Sequence, residues 1–169
     1  MNSQIMSRES LEYQLDTLGK TLTKKCNEEG GGIVFICIMK GGFMFFSDLI
    51  QRIKYPIEVD FVTCSSYEDK ERKPLEIHSF PSADIKDKTV YLIDDILDSG
   101  STMKSLISYF ERHGAKSIET VSAVYKENVD FPHHYYIYKQ PENVNPWYIG
   151  YGMDGPKGYS RNLNTINIL

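Results

Sequence analysis

Residues 33–38 read Ile-Val-Phe-Ile-Cys-Ile, an apolar run with no polar position in it. A strand with one face in water alternates polar and apolar side chains, so a strand without alternation must be covered on both faces. Such a strand belongs in the middle of a sheet, between layers of helix. The rest of the chain supplies those layers. Residues 7–28 place Leu11, Leu15, Leu18 and Leu22 at helical spacing, with Ser7 as N-cap and Gly30-Gly31-Gly32 as the stop. Lys40-Gly41-Gly42 breaks the apolar run, and residues 43–53 return to a helical pattern. Residues 57–62, 89–93 and 118–125 read as further strands, and residues 102–113 as a helix ended by Gly114. Residues 65–73 are polar and charged and read as a mobile excursion, with residues 75–80 as its returning strand. Residues 135–138 and 147–151 are short aromatic strand candidates separated by Pro141 and Pro146. Strands alternating with helices predict an α/β fold, a mostly parallel twisted sheet flanked by helices. Ligands in such sheets sit beyond the carboxyl ends of the strands, where Lys40, Asp94 and Lys126 all fall.

Composition narrows the function classes. At 169 residues with 41% hydrophobic and 25% charged side chains, the chain reads as a single soluble domain spanning residues 1–169. A net charge of −4 provides no basic face, which argues against nucleic acid as the main partner. No apolar run reaches membrane-spanning length, and the N-terminus has no basic region followed by an apolar core, so a cytoplasmic location is expected. Cys26, Cys37 and Cys64 lack C-x-x-C spacing and are odd in number, which fits reduced thiols. His78, His113, His133 and His134 show no metal-ligand spacing, and His133-His134 reads as an exposed loop pair.

The chemistry concentrates in Val90-Tyr91-Leu92-Ile93-Asp94-Asp95-Ile96-Leu97-Asp98-Ser99-Gly100-Ser101-Thr102. An apolar strand runs into two adjacent carboxylates, and a third follows on a turn that opens a helix. On a regular strand Asp94 and Asp95 would face opposite ways, but at a strand end both can approach one ligand. Paired carboxylates accept hydrogen bonds from the vicinal hydroxyls of a ribose or hold a divalent cation. The backbone amides of residues 98–102, with the hydroxyls of Ser99, Ser101 and Thr102, can surround a phosphate at a helix start. The plainer reading of the turn is an acidic helix cap. The apolar strand and the paired acids before it favour a sugar-phosphate site.

This segment resembles the phosphoribosyl-diphosphate signature of type I phosphoribosyltransferases. Lys40-Gly41-Gly42, Ser66-Tyr67, Lys126, the run Trp147-Tyr148-Ile149-Gly150-Tyr151-Gly152-Met153-Asp154, and Arg161-Asn162-Leu163 follow in the order of the family's hypoxanthine-guanine branch. The resemblance spans residues 33–169 and implies purine salvage: transfer of a 5-phosphoribosyl group from phosphoribosyl diphosphate to hypoxanthine or guanine, with Mg²⁺. It also implies a homodimer or homotetramer, and a small lobe over the base site built from the N-terminal segment and residues 135–169. The tyrosines at 135–138 would pack that lobe or a subunit contact.

By the same resemblance, Asp94 and Asp95 bind the ribose hydroxyls, directly or through metal-bound water. Residues Asp98, Ser99, Gly100, Ser101 and Thr102 bind the 5′-phosphate, and Asp98 is similar to the family's general base for the purine N7 proton. Lys40 and Gly41 meet diphosphate in a loop that often holds a non-proline cis peptide. Lys126 donates to the purine O6, Trp147 stacks on the ring, and Tyr148 offers backbone groups to the base edge. Asp154 holds a second Mg²⁺ near the base and diphosphate, and Arg161 closes on the diphosphate. Ser66 and Tyr67 begin a lid.

The chain departs from the pattern in four places. Asp94 stands where Glu is commoner, one extra residue separates Asp154 from Arg161 around Gly155-Pro156, the lid is unusually charged, and Glu127 follows Lys126. A related transferase preferring xanthine, or a regulatory protein that only senses the sugar phosphate, would share the central motif. Asp98, Lys126, Trp147 and Asp154 favour the enzyme, because a sensor needs no proton-transfer group.

Overall fold

The computed structural model describes residues 3–68, 71–126, 133–142, 144–155 and 158–169. In chain order these form β1 (Ser3–Met6), α1 (Arg8–Glu29), β2 (Ile33–Met39), α2 (Phe43–Ile50), β3 (Glu58–Glu68), β4 (Glu71–Ser79), β5 (Thr89–Leu97), α3 (Ser101–Arg112), β6 (Ser117–Tyr125), β7 (Tyr135–Lys139), β8 (Tyr148–Ile149) and β9 (Ile166–Ile168). Six strands make one sheet in the order β4-β3-β2-β5-β6-β7, parallel throughout except for β4 against β3.

The apolar run on β2 sits at the centre of this sheet, and its residues divide between two cores. Ile33, Phe35 and Cys37 pack with Leu11, Leu15 and Leu22 of α1 and Phe45 and Leu49 of α2. Val34, Ile36 and Ile38 pack on the opposite face with Met103, Leu106 and Phe110 of α3. Phe35 stacks on Tyr91 of β5 with ring centroids 4.5 Å apart, and the Tyr91 hydroxyl donates to Glu29 at 2.7 Å, closing the end of α1 onto the sheet. The helix boundaries follow local chemistry. The Ser7 hydroxyl accepts from the Ser10 amide at the start of α1, and Gly30 takes the left-handed conformation (φ 74°) that ends it.

Two expectations are corrected. Within the polar stretch at 65–73, residues 65–68 and 71–73 lie on antiparallel strands, with Tyr67 opposite Arg72. Antiparallel pairing needs backbone donors and acceptors and no apolar face, so a charged sequence forms strand there unannounced. The stretch from about residue 135, expected in the small lobe, opens instead with a strand of the main sheet. Tyr135–Lys139 is the parallel edge strand of the main sheet, because Ile137 turns into the core shared with α1. The smaller sheet, in the order β1-β9-β8, joins the two chain ends. Among the described residues no helix is long and apolar enough to cross a membrane.

Burial on both faces of β2 sets a stability difference. Phe35→Ala is expected to cost about 3–5 kcal/mol in urea unfolding, while Val59→Ala, at a position 42% exposed on β3, should cost under about 1 kcal/mol. Equal costs would mean that the central strand is not enclosed.

Candidate active site

β5 continues to Leu97, so Asp94 and Asp95 lie within the strand and not at its end. Strand alternation sends them to opposite faces, yet their carboxyls meet. Each swings forward to accept the next backbone N–H: Asp94 Oδ1 from Asp95 at 2.9 Å, and Asp95 Oδ1 from Ile96 at 2.9 Å. The two carboxyl groups are then near enough to influence one another's ionisation. Burial raises the Asp94 carboxyl well above the usual carboxylate range, and the neighbouring Asp95 charge adds to the rise. Burial also raises Asp95, opposed by backbone hydrogen bonds and the Arg161 charge. Two like charges in a site with little water cannot both ionise freely. The pair is therefore a ready acceptor for a proton, a hydroxyl pair or a cation.

The loop after β2 packs against this pair. The Met39–Lys40 peptide is cis, and Lys40 is exposed at the turn. Gly41 lies so close that a side chain there would collide with the Asp95 carboxyl. Gly152 (φ 98°) presses on the Gly41 carbonyl oxygen from the other side. Neither position has room for a methyl group.

Beyond Leu97 the chain turns through Asp98 and Ser99 to Gly100, left-handed at φ 72°, and α3 opens at Ser101 without a side-chain cap on Gly100. Ser99 Oγ accepts from the Ser101 N–H at a long 3.4 Å. The helix therefore presents its positive end and amide donors at the carboxyl edge of β5, a geometry suited to an anion.

Lys126 follows β6, and its backbone N–H donates to Leu97 across the strand ends at 3.3 Å. Its side chain, 11% exposed, places Nζ 2.7 Å from Asp98 Oδ1. A cleft of about 140 Å³ opens beside this pair, lined by Asp95, Ile96, Asp98, Trp147, Tyr148, Met153 and Asp154. Trp147 is 60% exposed, which sets it apart from a core tryptophan, and its indole N–H donates to the Asp154 carbonyl at 2.9 Å. Tyr148 is buried beneath the cleft, edge-on to Tyr138, so its phenol is enclosed and its backbone borders the space. Arg161 pairs with Asp154 at 2.7 Å and donates to the Gly152 carbonyl at 2.6 Å.

The structure thus gathers Asp94, Asp95, Asp98, Lys126, Trp147, Tyr148, Asp154 and Arg161 at one edge, with Gly41 beneath them. Ser66 and Tyr67 lie on β3, and their side chains fall outside the description, as do Glu127 and Pro156. His133 and His134 lie in a connection, as expected, but His133 is not exposed. It is half-buried, accepting or donating at Thr120 (2.9 Å) and Ser122 (3.0 Å) and stacking on Tyr125, and burial lowers its pKa to about 4.

Other contributing residues gave little signal in the sequence. Asp48 on α2 accepts from Arg8 at 2.7 Å and from the Tyr151 hydroxyl at 2.8 Å, tying both helices to the segment that carries Gly152 and Asp154. A lone Asp in a helix has no motif to announce it, and Tyr151, though inside the run from Trp147 to Asp154, shows no partner in the sequence. Asn145, 3.1 Å from Lys126 Nζ, sits between prolines in a stretch that reads as a connection.

The phosphoribosyl transferase domain model matches residues 12–155. The chain belongs to the phosphoribosyltransferase family. It is 32% identical over 98% of its length to a hypoxanthine-guanine phosphoribosyltransferase of Staphylococcus aureus, covering 92% of that protein. It is 28% identical to a hypoxanthine phosphoribosyltransferase of Salmonella typhimurium, over 88% of this chain and 85% of the relative. A crystal structure of the Staphylococcus aureus hypoxanthine phosphoribosyltransferase superposes with a TM-score of 0.89 at 32% identity, over 99% of this chain and 90% of that one. One from Bacillus anthracis superposes with a TM-score of 0.85 at 29% identity, over 99% and 97%. Within the phosphoribosyltransferases, these relatives set the chain in the hypoxanthine-guanine branch.

The raised acid pair carries a signed pH dependence. The native state holds protons at Asp94 and Asp95 more tightly than the unfolded chain, whose carboxyls titrate near about pH 4. This contribution is favourable below that range and is lost as rising pH ionises the native pair. Asp94→Asn should therefore raise the melting temperature of the metal-free protein at neutral pH, with less gain near about pH 4. An unchanged or lower Tm at neutral pH would contradict the repulsion.

Proposed function

We propose that this phosphoribosyltransferase performs purine salvage: hypoxanthine or guanine reacts with phosphoribosyl diphosphate to give the nucleoside monophosphate and diphosphate. The carrying observation is the Asp98–Lys126 pair at 2.7 Å beside a cleft walled by Trp147. A carboxylate and an ammonium held together at the rim of an aromatic cleft match a purine that loses a proton at one atom and accepts a hydrogen bond at another.

In this reading a purine nitrogen forms a bond to C1 of the ribose as the C1–oxygen bond to diphosphate breaks, with oxocarbenium character between. The N7 proton passes to Asp98. Lys126 donates to O6, which disfavours adenine because its N6 amino group is itself a donor. Trp147 stacks on the ring, a contact worth roughly 1–3 kcal/mol per base, and Tyr148 offers its backbone to the base edge. Ser99, Gly100, Ser101 and Thr102, at the uncapped start of α3, take the 5′-phosphate. Lys40, Gly41 and Arg161 take the diphosphate, and Asp94 and Asp95 take the ribose hydroxyls. Ser66 and Tyr67, in the hairpin, belong to a lid that excludes water from the reacting carbon. Positioning and electrostatics carry most of the rate, since the protein makes no covalent bond to the sugar.

The family membership is consistent with a divalent metal, and the donor set fits Mg²⁺. Asp94 and Asp95 form a crowded carboxyl pair whose repulsion a dication relieves, and Asp154 is a separate carboxylate at the cleft. Magnesium takes one or two carboxylates and completes its shell with phosphate oxygens and water. When bound, it supplies charge neutralisation for the departing diphosphate. Free cysteines support a cytoplasmic setting, and family analogy supports a homodimer or homotetramer.

A panel of purines assayed with phosphoribosyl diphosphate and Mg²⁺ should show nucleotide formation with hypoxanthine or guanine and none with adenine. Asp98→Asn should lower kcat by about 100-fold or more with little change in affinity for phosphoribosyl diphosphate. Undiminished turnover would remove Asp98 as the base. Lys126→Ala should raise the purine KM by about 10- to 100-fold and erode discrimination against adenine; unchanged base preference would remove it as the O6 donor.

A further inference from the structure

Among the described residues, the Lys126 ammonium has two side-chain partners. Besides Asp98 at 2.7 Å, its Nζ donates to Asn145 Oδ1 at 3.1 Å. An ammonium carries three N–H donors on a freely rotating head. One acceptor leaves that head free to spin, and two acceptors in different directions fix it. The third N–H then has a defined direction, and it is the donor left for a ligand.

Asn145 can perform this task because its backbone is pinned on both sides. Upstream, the buried Gln140 donates through Nε2 to the Val144 carbonyl at 2.6 Å, and its backbone N–H donates to Tyr125, the residue before Lys126, at 2.8 Å. Downstream, the Trp147 carbonyl accepts from the Leu169 N–H at 3.0 Å, and its indole is held by Asp154. Residues 144–147 therefore carry the aromatic platform and the lysine's second acceptor two positions apart, anchored at Val144 and at Trp147. Ring plane and donor direction are set relative to each other by the same stretch of chain.

We infer that Asn145 is a positioning residue for purine specificity: its side-chain oxygen, with Asp98, orients the Lys126 ammonium so that one N–H is presented to an acceptor at C6 of the base. This rests on the reading of Lys126 as the O6 donor. Asn145 does not touch the reacting atoms, and its contribution belongs to base binding and selection and not to the chemical step. It also keeps Lys126 from collapsing entirely onto Asp98, whose carboxylate must be available to the N7 proton.

The test is steady-state kinetics of the full-length protein with Asn145→Ala, Asn145→Leu and Asn145→Asp, using hypoxanthine, guanine and adenine. Asn145→Ala and Asn145→Leu should each raise the KM for the 6-oxopurine by about tenfold, as expected for a lost hydrogen bond to a charged group, with kcat and the KM for phosphoribosyl diphosphate within about threefold. Relative adenine use should rise. Asn145→Asp, which keeps the acceptor, should restore a purine KM near that of the wild type. Because Asn145 is exposed, melting temperatures should stay close together, so a folding defect would not mimic this split. A fall in kcat alone, or equal effects of the alanine and aspartate variants, overturns the inference. So does a wild-type purine KM in the alanine variant. If the wild type converts no 6-oxopurine, the proposed function itself fails, which is a separate outcome.

Discussion

Two carboxyl groups in contact on a buried parallel strand impose the constraint around which the rest of the site is arranged. Asp94 and Asp95 are only partly exposed and lie side by side, so ionising both is costly and their surroundings must offset the repulsion. Backbone N–H groups of Asp95 and Ile96 supply part of it, and the Arg161 charge supplies more on the Asp95 side. The close layering of Gly152 on Gly41 on Asp95 follows from the same crowding, since any side chain at those glycines would enter the carboxyl or the carbonyl above it. Such a pair is poorly justified as a stabilising element and well suited to a ligand that brings hydroxyl donors or a dication.

Much of the fold was legible because its signals are local. The unbroken apolar run at 33–38 demanded cover on both faces, and the two cores on either side of β2 provide it. Leucines at helical spacing and the Ser7 and Gly30 caps delimited α1 nearly to the residue. The hairpin of β3 and β4 was not legible, because its polar residues carry no hydrophobic period and its pairing is a property of two backbones. The sequence of Tyr135–Lys139 likewise does not say which sheet the strand joins. A five-residue aromatic strand is compatible with either sheet, and only the packing of Ile137 against the core shared with α1 decides between them.

The candidate site was legible where its residues form a contiguous motif and opaque where they meet through space. Asp94 to Thr102 announces itself as strand, acids, turn and helix. Trp147 and Asp154 were found by their order in the chain, and their mutual hydrogen bond through the indole gives that order a physical meaning. Asp48 and Asn145 carried no signal, and Tyr151, though it lies in the run from Trp147 to Asp154, showed no role, because each acts on a partner distant in sequence: Asp48 on Tyr151 across 103 positions, Asn145 on Lys126 across 19. These residues hold the functional groups in place, and a holding residue is defined by what it touches.

The central claim is that the end of β5 receives an activated sugar phosphate while the neighbouring cleft receives a flat base. Its most direct measurement is a crystal structure of the protein with phosphoribosyl diphosphate, Mg²⁺ and a hypoxanthine analogue whose ring carries carbon in place of the reacting nitrogen. The account predicts the 5′-phosphate on the amides and hydroxyls of Ser99, Ser101 and Thr102, the ribose hydroxyls at Asp94 and Asp95, and the ring on Trp147 with its oxygen at Lys126. Density for the sugar phosphate elsewhere, with the β5–α3 turn empty, would contradict it.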